Sequence, residues 1–284
     1  MINTQVERRI KPVTHDIVSA SNVFGRFKRE GRHEVRQPDI TGQTYIEQVK
    51  RTREMLRSMK SDAVSQIIEF RRDLNFFEAL ALAKEEGKLI VPNDVHDRIL
   101  TETKDKEFLL QNYPVRTGTL IIYEAPDKPF GEQVVFSWKD DSDEKYSVSF
   151  TIPEQFRGRA NCALVIEHPD FEVLNLGDNR YALKVTDEKI HQIEQFPKQD
   201  CWYIPHTETG IPQGTIVKKS SDSRRIWRFN DSAYLGPVVR DVDDIDGSLK
   251  QVVNAFCRST VWFGVAFIGL GEATPKEGYT KPNK

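Results

Sequence analysis

The sequence predicts an α+β protein in which an amphipathic helical part precedes an antiparallel sheet. Apolar side chains recur at spacings near 3.6 residues through much of segment 41–111, as they do on one face of a helix. From residue 113 the period changes to two, in short runs rich in β-branched and aromatic residues that turn formers separate. With 284 residues, the chain is long enough for one large domain or two small ones.

Residues 1–40 precede the first periodic stretch and are predicted to form a basic N-terminal arm. Residues 1–60 hold 13 Lys and Arg against 7 Asp and Glu, whereas the whole chain has a net charge of −2. We favour a solvated arm, because aromatic residues do not alternate with these charges as a base-stacking surface requires. Nucleic-acid binding by this segment is the alternative, and its affinity would fall steeply with salt.

The first helical stretch is TYIEQVKRTREMLRSMKSDAVSQIIEFRRDL, which contains no Gly or Pro. Its apolar residues, from Ile46 to Phe70, follow one helix face. We predict either one long amphipathic helix or two helices with a break near Ser61 and Asp62.

The next stretch, NFFEALALAKEEGKLIVPNDVHDRILTE, predicts two helices that flank a short extended segment, LIVP. Asn75 is placed to cap the first of these helices and Gly87 to end it. Asn93 or Asp94 is expected to cap the second, which carries the apolar residues Val95, Ile99 and Leu100.

Short alternating segments then predict an antiparallel sheet of five or six strands. These segments are VRTGTLIIYEAP, EQVVFSWKD, KYSVSFTIP, CALVIEHPD, FEVLNLG and RYALKVTDE. A short helix is expected at DEKIHQIEQF. Residues 197–226 are expected to be a loop, because they are dense in Pro, Gly, Ser and Thr. Three further strands are predicted between Ile226 and Phe267.

Candidate catalytic and metal-binding groups are scattered along the chain. The cysteines Cys162, Cys201 and Cys257 form no CxxC pair, which argues against a disulfide framework or a zinc site and favours a reducing compartment. The phosphate-binding, dinucleotide-binding and nucleophile-elbow motifs do not occur. No histidine stands at metal-ligand spacing from another His or Cys. We therefore expect a non-enzymatic protein that uses no cofactor and no metal.

The acidic run DVDDIDG, from Asp241 to Gly247, is a candidate calcium-binding loop. If Gly247 is aligned with the invariant glycine of an EF-hand loop, Val242 and Val253 fall where carboxylates are required, which excludes that motif. A solvated turn is the favoured interpretation. Calcium held by a lectin-type loop remains the alternative, with the candidate ligands Asp243, Asp244 and Asp246.

Two stretches resemble the C-type-lectin fold of the formylglycine-generating enzyme class. The first is EALALAKEEGKLIVPNDVHDRIL, and its matching residues are Glu78, Ala79, Ala83, Gly87, Lys88, Leu89, Pro92 and Asp94. The second is the end of the chain, with Arg258, Ser259, Phe263, Gly264, Val265 and Phe267. The resemblance implies a C-type-lectin-like fold with an inserted antiparallel β-sheet. Enzymes of this class use two cysteines near the C-terminus, where this chain has only Cys257, and Cys201 would have to be its partner from a distant loop. This argues against an oxidase of that type, which is kept as an alternative function.

The stretch WRFNDSAYLGPVVRDVDDIDGSLKQVVNAFCRSTVWFGVAF resembles the variable C-terminus of target proteins of diversity-generating retroelements, which use the same fold. The resemblance implies that residues reachable by rewriting adenines form a variable binding surface. These are Asn230, Asp231, Ser232, Tyr234, Asp241, Asp243, Asp244, Asp246, Ser248, Asn254, Phe256, Ser259 and Val261. Because strand residues alternate between faces, an opposite, buried face is expected to hold Val238, Val252, Phe263, Val265 and Phe267.

These expectations divide the chain into five regions. They are a basic arm at 1–40, the helical part of the lectin-like domain at 41–111, an antiparallel insertion at 112–196, the C-terminal part with the variable surface at 197–270, and a flexible tail at 271–284. The expected function is binding of a protein or glycan through residues 228–262. The sequence is also compatible with a homo-oligomer. A membrane span is not expected. The N-terminus lacks an apolar core of signal-peptide length, so the sequence does not explain export. The location stays open, and a cytoplasmic or a virion-associated protein is compatible with the sequence.

Overall fold

The computed structural model describes residues 42–72, 74–103, 114–139, 143–185, 189–206, 208–220, 223–227, 232–242, 249–253 and 264–270. The helices in these residues are α1 (Gly42–Ser58), α2 (Ser61–Ser65), α3 (Phe76–Glu85) and α4 (Asn93–Glu102). The strands are β1 (Glu69–Arg71), β2 (Lys88–Ile90), β3 (Val115–Tyr123), β4 (Gln133–Lys139), β5 (Lys145–Thr151), β6 (Ala163–Glu167), β7 (Phe171–Gly177), β8 (Arg180–Val185), β9 (His191–Ile193), β10 (Cys201–Pro205), β11 (Pro212–Val217), β12 (Arg224–Trp227), β13 (Tyr234–Val242), β14 (Leu249–Val253) and β15 (Gly264–Gly269). The α+β class is confirmed. The predicted arm at 1–40 and tail at 271–284 lie outside the described residues.

The predicted break in the first helical stretch is confirmed, because α1 ends at Ser58 and α2 begins at Ser61. The helical period was expected to continue through Phe70, and this part of the prediction is wrong. Phe70 lies in β1, where it pairs with Ala266 of β15. Pairing with a strand almost two hundred residues away has overridden the local helical pattern.

Local capping signals define α3. The Asn75 side chain accepts a hydrogen bond from the Glu78 backbone N–H, and the Glu78 carboxylate accepts one from the Asn75 backbone, which completes a capping box. Gly87 follows the helix with a φ of +61°, as expected for the residue that ends a helix. The start of α4 differs from the expectation, because its N-cap is Pro92. The Asn93 amide instead donates to the Thr209 carbonyl at 2.7 Å.

The larger sheet has eleven described strands and is organised around β3. Strand β3 pairs antiparallel with β13 and with β6, and its first residues pair in parallel with β15. The main path runs β1-β15-β3-β13-β14-β12-β10-β11, with β2 beside β15 and β9 beside β6. Gly118 in β3 allows a close approach to β2, since a Cβ there would lie 2.4 Å from the Ile90 carbonyl oxygen.

The smaller sheet has the strand order β4-β5-β8-β7. Its inner side chains, such as Val148 and Phe150, pack against the larger sheet and α3 in one hydrophobic core. Aromatic rings join the layers: Phe77 of α3 stacks on Tyr181 of β8 at a centroid distance of 4.3 Å. A second core forms where α1, α2 and α4 cover β2 and β15, and it includes Val49, Leu56, Val64, Leu89, Val95 and Ile268.

Segment 112–196 does not form one inserted sheet. All six predicted strands are present as β3 to β8, but β3 and β6 belong to the larger sheet and the other four to the smaller one. In addition, β5 and β8 pair in parallel. The same strand β3 pairs with β15 and β13, so this segment supplies the centre of the C-terminal sheet.

Two further local predictions are wrong. Residues 191–193, expected to be helical, form β9 and pair with β6. Residues 197–226, expected to be a loop, contain β10 and β11, and β12 begins at Arg224. Among the described residues, no helix has the length and apolar character needed to cross a bilayer.

Candidate functional site

Of the thirteen residues predicted to form a variable surface, the structure describes the surroundings of two. Ser232 is exposed just before β13, whereas Tyr234 is fully buried. Asp241 lies near the end of β13, and its side chain is outside the described part of the chain. The remaining ten also lie outside it, namely Asn230, Asp231, Asp243, Asp244, Asp246, Ser248, Asn254, Phe256, Ser259 and Val261. The structure therefore brings no two of the predicted binding residues together on a described surface.

The assignment of Tyr234 to an exposed binding surface is wrong. Its ring lies 5.5 Å from that of Tyr123 and 5.0 Å from that of Phe136, which places it between the two sheets. The hydroxyl donates to the Pro237 carbonyl at 3.2 Å, and burial raises the Tyr234 pKa well above its usual value. Gly236 leaves room for the ring, since a Cβ there would lie 2.4 Å from the Tyr234 hydroxyl oxygen.

Three residues predicted for the apolar face, Val238, Val265 and Phe267, are fully buried. The predicted alternation with an exposed face is wrong here, because their neighbours Val239, Ala266 and Ile268 are fully buried too. Val252 and Phe263, the other residues predicted for this face, have side chains outside the described residues.

A polar cleft of about 670 Å³ is the candidate site. It lies where α1 and α4 meet the turn after β6, the start of β9 and the turn between β10 and β11. Its volume is within the range of small-molecule sites, roughly 300–1,000 Å³. The lining residues are Arg53, Glu54, Arg57, Asp94, Asp97, Arg98, Thr101, Glu102, Val165, Glu167, Asp170, Lys189, His191, Pro205, His206, Glu208, Thr209 and Gly210.

Arg57 of α1 organises the floor of the cleft by binding two carboxylates. Its Nη2 donates to both oxygens of Glu167 at 2.7 and 2.8 Å, and its Nε donates to Asp94 Oδ2 at 2.8 Å. Nη2 also lies 3.2 Å from the Glu208 carbonyl. One guanidinium thus connects α1 with α4, with the end of β6 and with the β10–β11 turn.

Two more ion pairs fix the walls. Arg53 donates to Asp170 at 2.9 Å, and both side chains are almost completely buried. Arg224 of β12 donates from Nε to Asp97 of α4 at 2.8 Å. Because these side chains are almost completely buried, removing one partner of either pair would leave an uncompensated buried charge, which is costly.

Asp94 and Glu167 are the two buried carboxylates that bind Arg57. The Asp94 side chain is 7 % exposed, and its Oδ1 atom has no hydrogen-bond donor among the described residues. Burial raises the pKa of Glu167 to about 7, the negative charge of Asp94 adds to this, and Arg57 and Arg53 oppose it. Near pH 7 Glu167 is therefore partly protonated, and it shares Arg57 with Asp94, whose Oδ1 atom needs a donor.

The part of the lining that comes from β9 and the β10–β11 turn carries imidazole and ammonium groups. The rings of His191 and His206 lie 5.4 Å apart, and Lys189 precedes β9 by two residues. Burial lowers the pKa of His191, the positive potential of His206 lowers it further, and Glu208 raises it. The His206 Nδ1 accepts a hydrogen bond from the Glu208 backbone N–H at 3.4 Å, so a neutral His206 carries its proton on Nε2.

The described residues contain no group of three His, Cys, Asp or Glu side chains that could hold a metal ion. Cys162 and Cys201 are buried thiols, and burial beside Asp200 raises the pKa of Cys201 to about 11. A thiol with a raised pKa is a poor nucleophile at neutral pH. Cys257, the other cysteine of the oxidase alternative, and the acidic loop Asp243–Asp246 lie outside the described residues.

Sequence reasoning missed the cleft because its residues come from segments far apart in the chain. Arg57 and Glu167, for example, are 110 positions apart. A local signal exists on each helix: Arg53 and Arg57 are four residues apart, and Asp94 and Asp97 are three apart, so each pair shares a helix face. In α1 that charged face lies beside Val49 and Leu56, which are buried, and charged residues next to an apolar stripe indicate buried ion pairs.

The two stretches that resemble the C-type-lectin fold lie side by side. Strand β2, within the first stretch, pairs antiparallel with β15, within the second, through Leu89 with Ile268 and Ile90 with Phe267. A scan against protein-family models, a search of curated proteins and a search of solved structures each found no match for this chain. The lectin-like fold and the retroelement relationship therefore remain predictions.

Proposed function

We propose that the protein binds a small, polar, cation-bearing ligand in the cleft between α1, α4 and the β10–β11 turn. The observation that carries this proposal is Asp94 at the floor of the cleft, with a buried Oδ1 that no described residue supplies with a donor. A buried acceptor without a donor is costly, and an ammonium or guanidinium group would remove that cost.

The charge of the lining favours the same ligand. Seven carboxylates line the cleft, against the four cations Arg53, Arg57, Arg98 and Lys189. Two cations from outside the lining, Arg224 and Lys50, pair with Asp97 and Asp170. Arg98 is directed to the end of α1, where it donates to the carbonyls of Leu56 and Arg57. Above the pKa of Glu167 the seven carboxylates therefore outnumber these six cations by one, and this negative excess attracts a cation.

An organic cation fits better than a metal ion or an apolar molecule. The carboxylates are spread along the cleft, and no three of the described side chains converge on a metal position. Most of the lining side chains are charged or polar, and an apolar ligand would remove water from them without replacing its hydrogen bonds. A ligand with several N–H donors can reach several separate carboxylates.

The experiment is isothermal titration calorimetry of the full chain with agmatine, a guanidinium compound that also carries an amine. It is done at pH 8, above the pKa of Glu167, and at low salt. We expect saturable binding that weakens at least tenfold in Asp94→Asn, because the amide keeps the contact with Arg57 but loses the charge. The matched control is Glu172→Gln, which removes an exposed carboxylate on β7. If agmatine does not bind, or binds Asp94→Asn equally well, the proposal is wrong.

A second candidate is the variable ligand-binding protein that the retroelement resemblance implies. The pairing of β2 with β15 supports it, because that contact joins the two stretches on which the lectin-like resemblance rests. The burial of Tyr234 removes one residue from its surface. The test is to sequence the DNA beside the gene. A near-copy of the 3′ coding segment, differing mainly at adenines, together with a reverse-transcriptase gene would support this function, and the absence of either would refute it.

A further inference from the structure

The cleft has two walls of different chemistry. Helices α1 and α4 contribute the carboxylates Glu54, Asp94, Asp97 and Glu102. Their arginines are already bound, Arg53 and Arg57 to carboxylates and Arg98 to backbone carbonyls. The strand side contributes Lys189, His191 and His206 together with Glu208, and its other carboxylates, Glu167 and Asp170, are bound by Arg57 and Arg53. A single-charge ligand would satisfy only one of these walls.

The strand-side wall offers donors to an anionic group. Lys189 is exposed and lines the cleft. The Nε2 atom of His191 has no hydrogen-bond partner among the described residues. Because His206 accepts a hydrogen bond at Nδ1, its other ring nitrogen is the donor in the neutral form. A carboxylate is an acceptor that an ammonium and imidazole N–H groups together can bind.

From this we infer that the ligand is a zwitterion of the basic amino-acid class, with its cationic side chain on the helix wall and its carboxylate on the Lys189–His191 wall. This inference rests on the proposed cation-binding function, and it adds recognition of the ligand's carboxylate by the strand-side wall. The volume of about 670 Å³ leaves room for a molecule of this size together with bridging water.

The Glu208 carboxylate would repel an anion bound at this wall, to an extent that depends on where its side chain lies. Its backbone carbonyl faces Arg57, its backbone N–H faces His206, and its side chain is exposed. Glu208 and Lys189 are both exposed, so solvent and salt screen both of their charges. The Nε2 atom of His191 is buried and has no hydrogen-bond partner among the described residues, so it is the group on this wall for which an added carboxylate matters most.

A comparison of arginine with agmatine tests carboxylate recognition separately from cation binding. They share the guanidinium and differ by the carboxylate that arginine has and agmatine lacks. Agmatine carries the higher positive charge, so an acidic cleft without an anion-binding wall would prefer agmatine. We expect the opposite order, with arginine binding at least fivefold more tightly by calorimetry at pH 8.

The variant Lys189→Met tests which wall makes the difference. It should abolish the preference for arginine and leave the affinity for agmatine unchanged or higher. The matched control is Lys184→Met, which removes an exposed ammonium on β8 and should keep the preference. Equal or tighter binding of agmatine to the wild type would overturn the zwitterion inference and leave the cation site standing. Failure of both ligands to bind would overturn both proposals.

Discussion

Tyr234 shows how the environment of one side chain decides between a core and a surface position. In sequence it follows Asn230, Asp231 and Ser232, and a tyrosine among small polar residues is also typical of a binding loop. In the fold it begins β13 opposite Tyr123, and its ring enters the space between the sheets. Strand alternation predicts which residues share a face, but it does not predict which face is covered.

The first prediction is that Tyr234 contributes to stability as a core residue. Tyr234→Phe should lower the free energy of unfolding by about 1 kcal/mol, because it removes the hydrogen bond to Pro237. Tyr234→Ala should lower it by roughly 3–5 kcal/mol, because it leaves a cavity between the sheets. Chemical denaturation measures both values, with exposed Ser232→Ala as the control. If Tyr234→Ala proves as stable as that control, the residue is not in the core.

The helices show which features of a secondary-structure element nearby residues determine, namely where it begins and ends. The N-cap Asn75, the glycine after α3 and the break before Ser61 were predictable, because each depends on residues within one or two helical turns. Strands β9 and β10 were not predictable from their own sequence. Strand β9 pairs with β6, which lies more than twenty residues earlier. Strand β10 pairs with the next strand, β11, and with β12, and the Pro and Gly residues of this region hid that pairing. Sheet pairing depends on contacts that local composition does not record.

The capping box of α3 gives the second prediction. Asn75→Ala removes the side-chain acceptor for the Glu78 backbone N–H and should lower the free energy of unfolding by about 1 kcal/mol. Glu85→Ala, an exposed change at the other end of the same helix, should shift it by less than about 0.5 kcal/mol. Urea denaturation of the two variants beside the wild type makes the comparison. Equal effects would mean that the cap does not stabilise α3.

At the scale of the whole molecule, charged side chains connect the helical layer to the larger sheet around the cleft. Arg53 and Arg57 reach across from α1 to Asp170 and Glu167, which lie in or after β6. The candidate site was not predictable for the same reason that β9 was not, because it exists only once these layers have packed. The shifted pKa values of its side chains therefore arise only in the folded protein. They should make the free energy of unfolding depend on pH.

Two buried groups in this region act in opposite directions as pH changes. Burial lowers the pKa of His168 to about 3, with Arg53 adding to the effect, so the folded state holds this ring neutral. Below about pH 6.5 the unfolded chain takes up a proton that the folded protein does not, and stability falls with acidification. Glu167 has a raised pKa of about 7, so its contribution to stability is complete at low pH and is lost as pH rises.

Glu167→Gln separates these contributions and gives the third prediction. From about pH 4.5 to 7 the unfolded glutamate is ionised while the buried one keeps its proton, so the wild type loses stability over that window. Glutamine cannot titrate. The free energy of unfolding of the variant, measured relative to wild type, should therefore rise by about 3 kcal/mol between pH 4.5 and 7 and level off above it. Because His168 is unchanged in both proteins, its acid limb cancels in the difference. Urea denaturation at half-unit pH steps measures this difference. A flat difference across the window would mean that Glu167 is ionised throughout, held so by Arg57, and that the floor of the cleft carries no exchangeable proton at neutral pH.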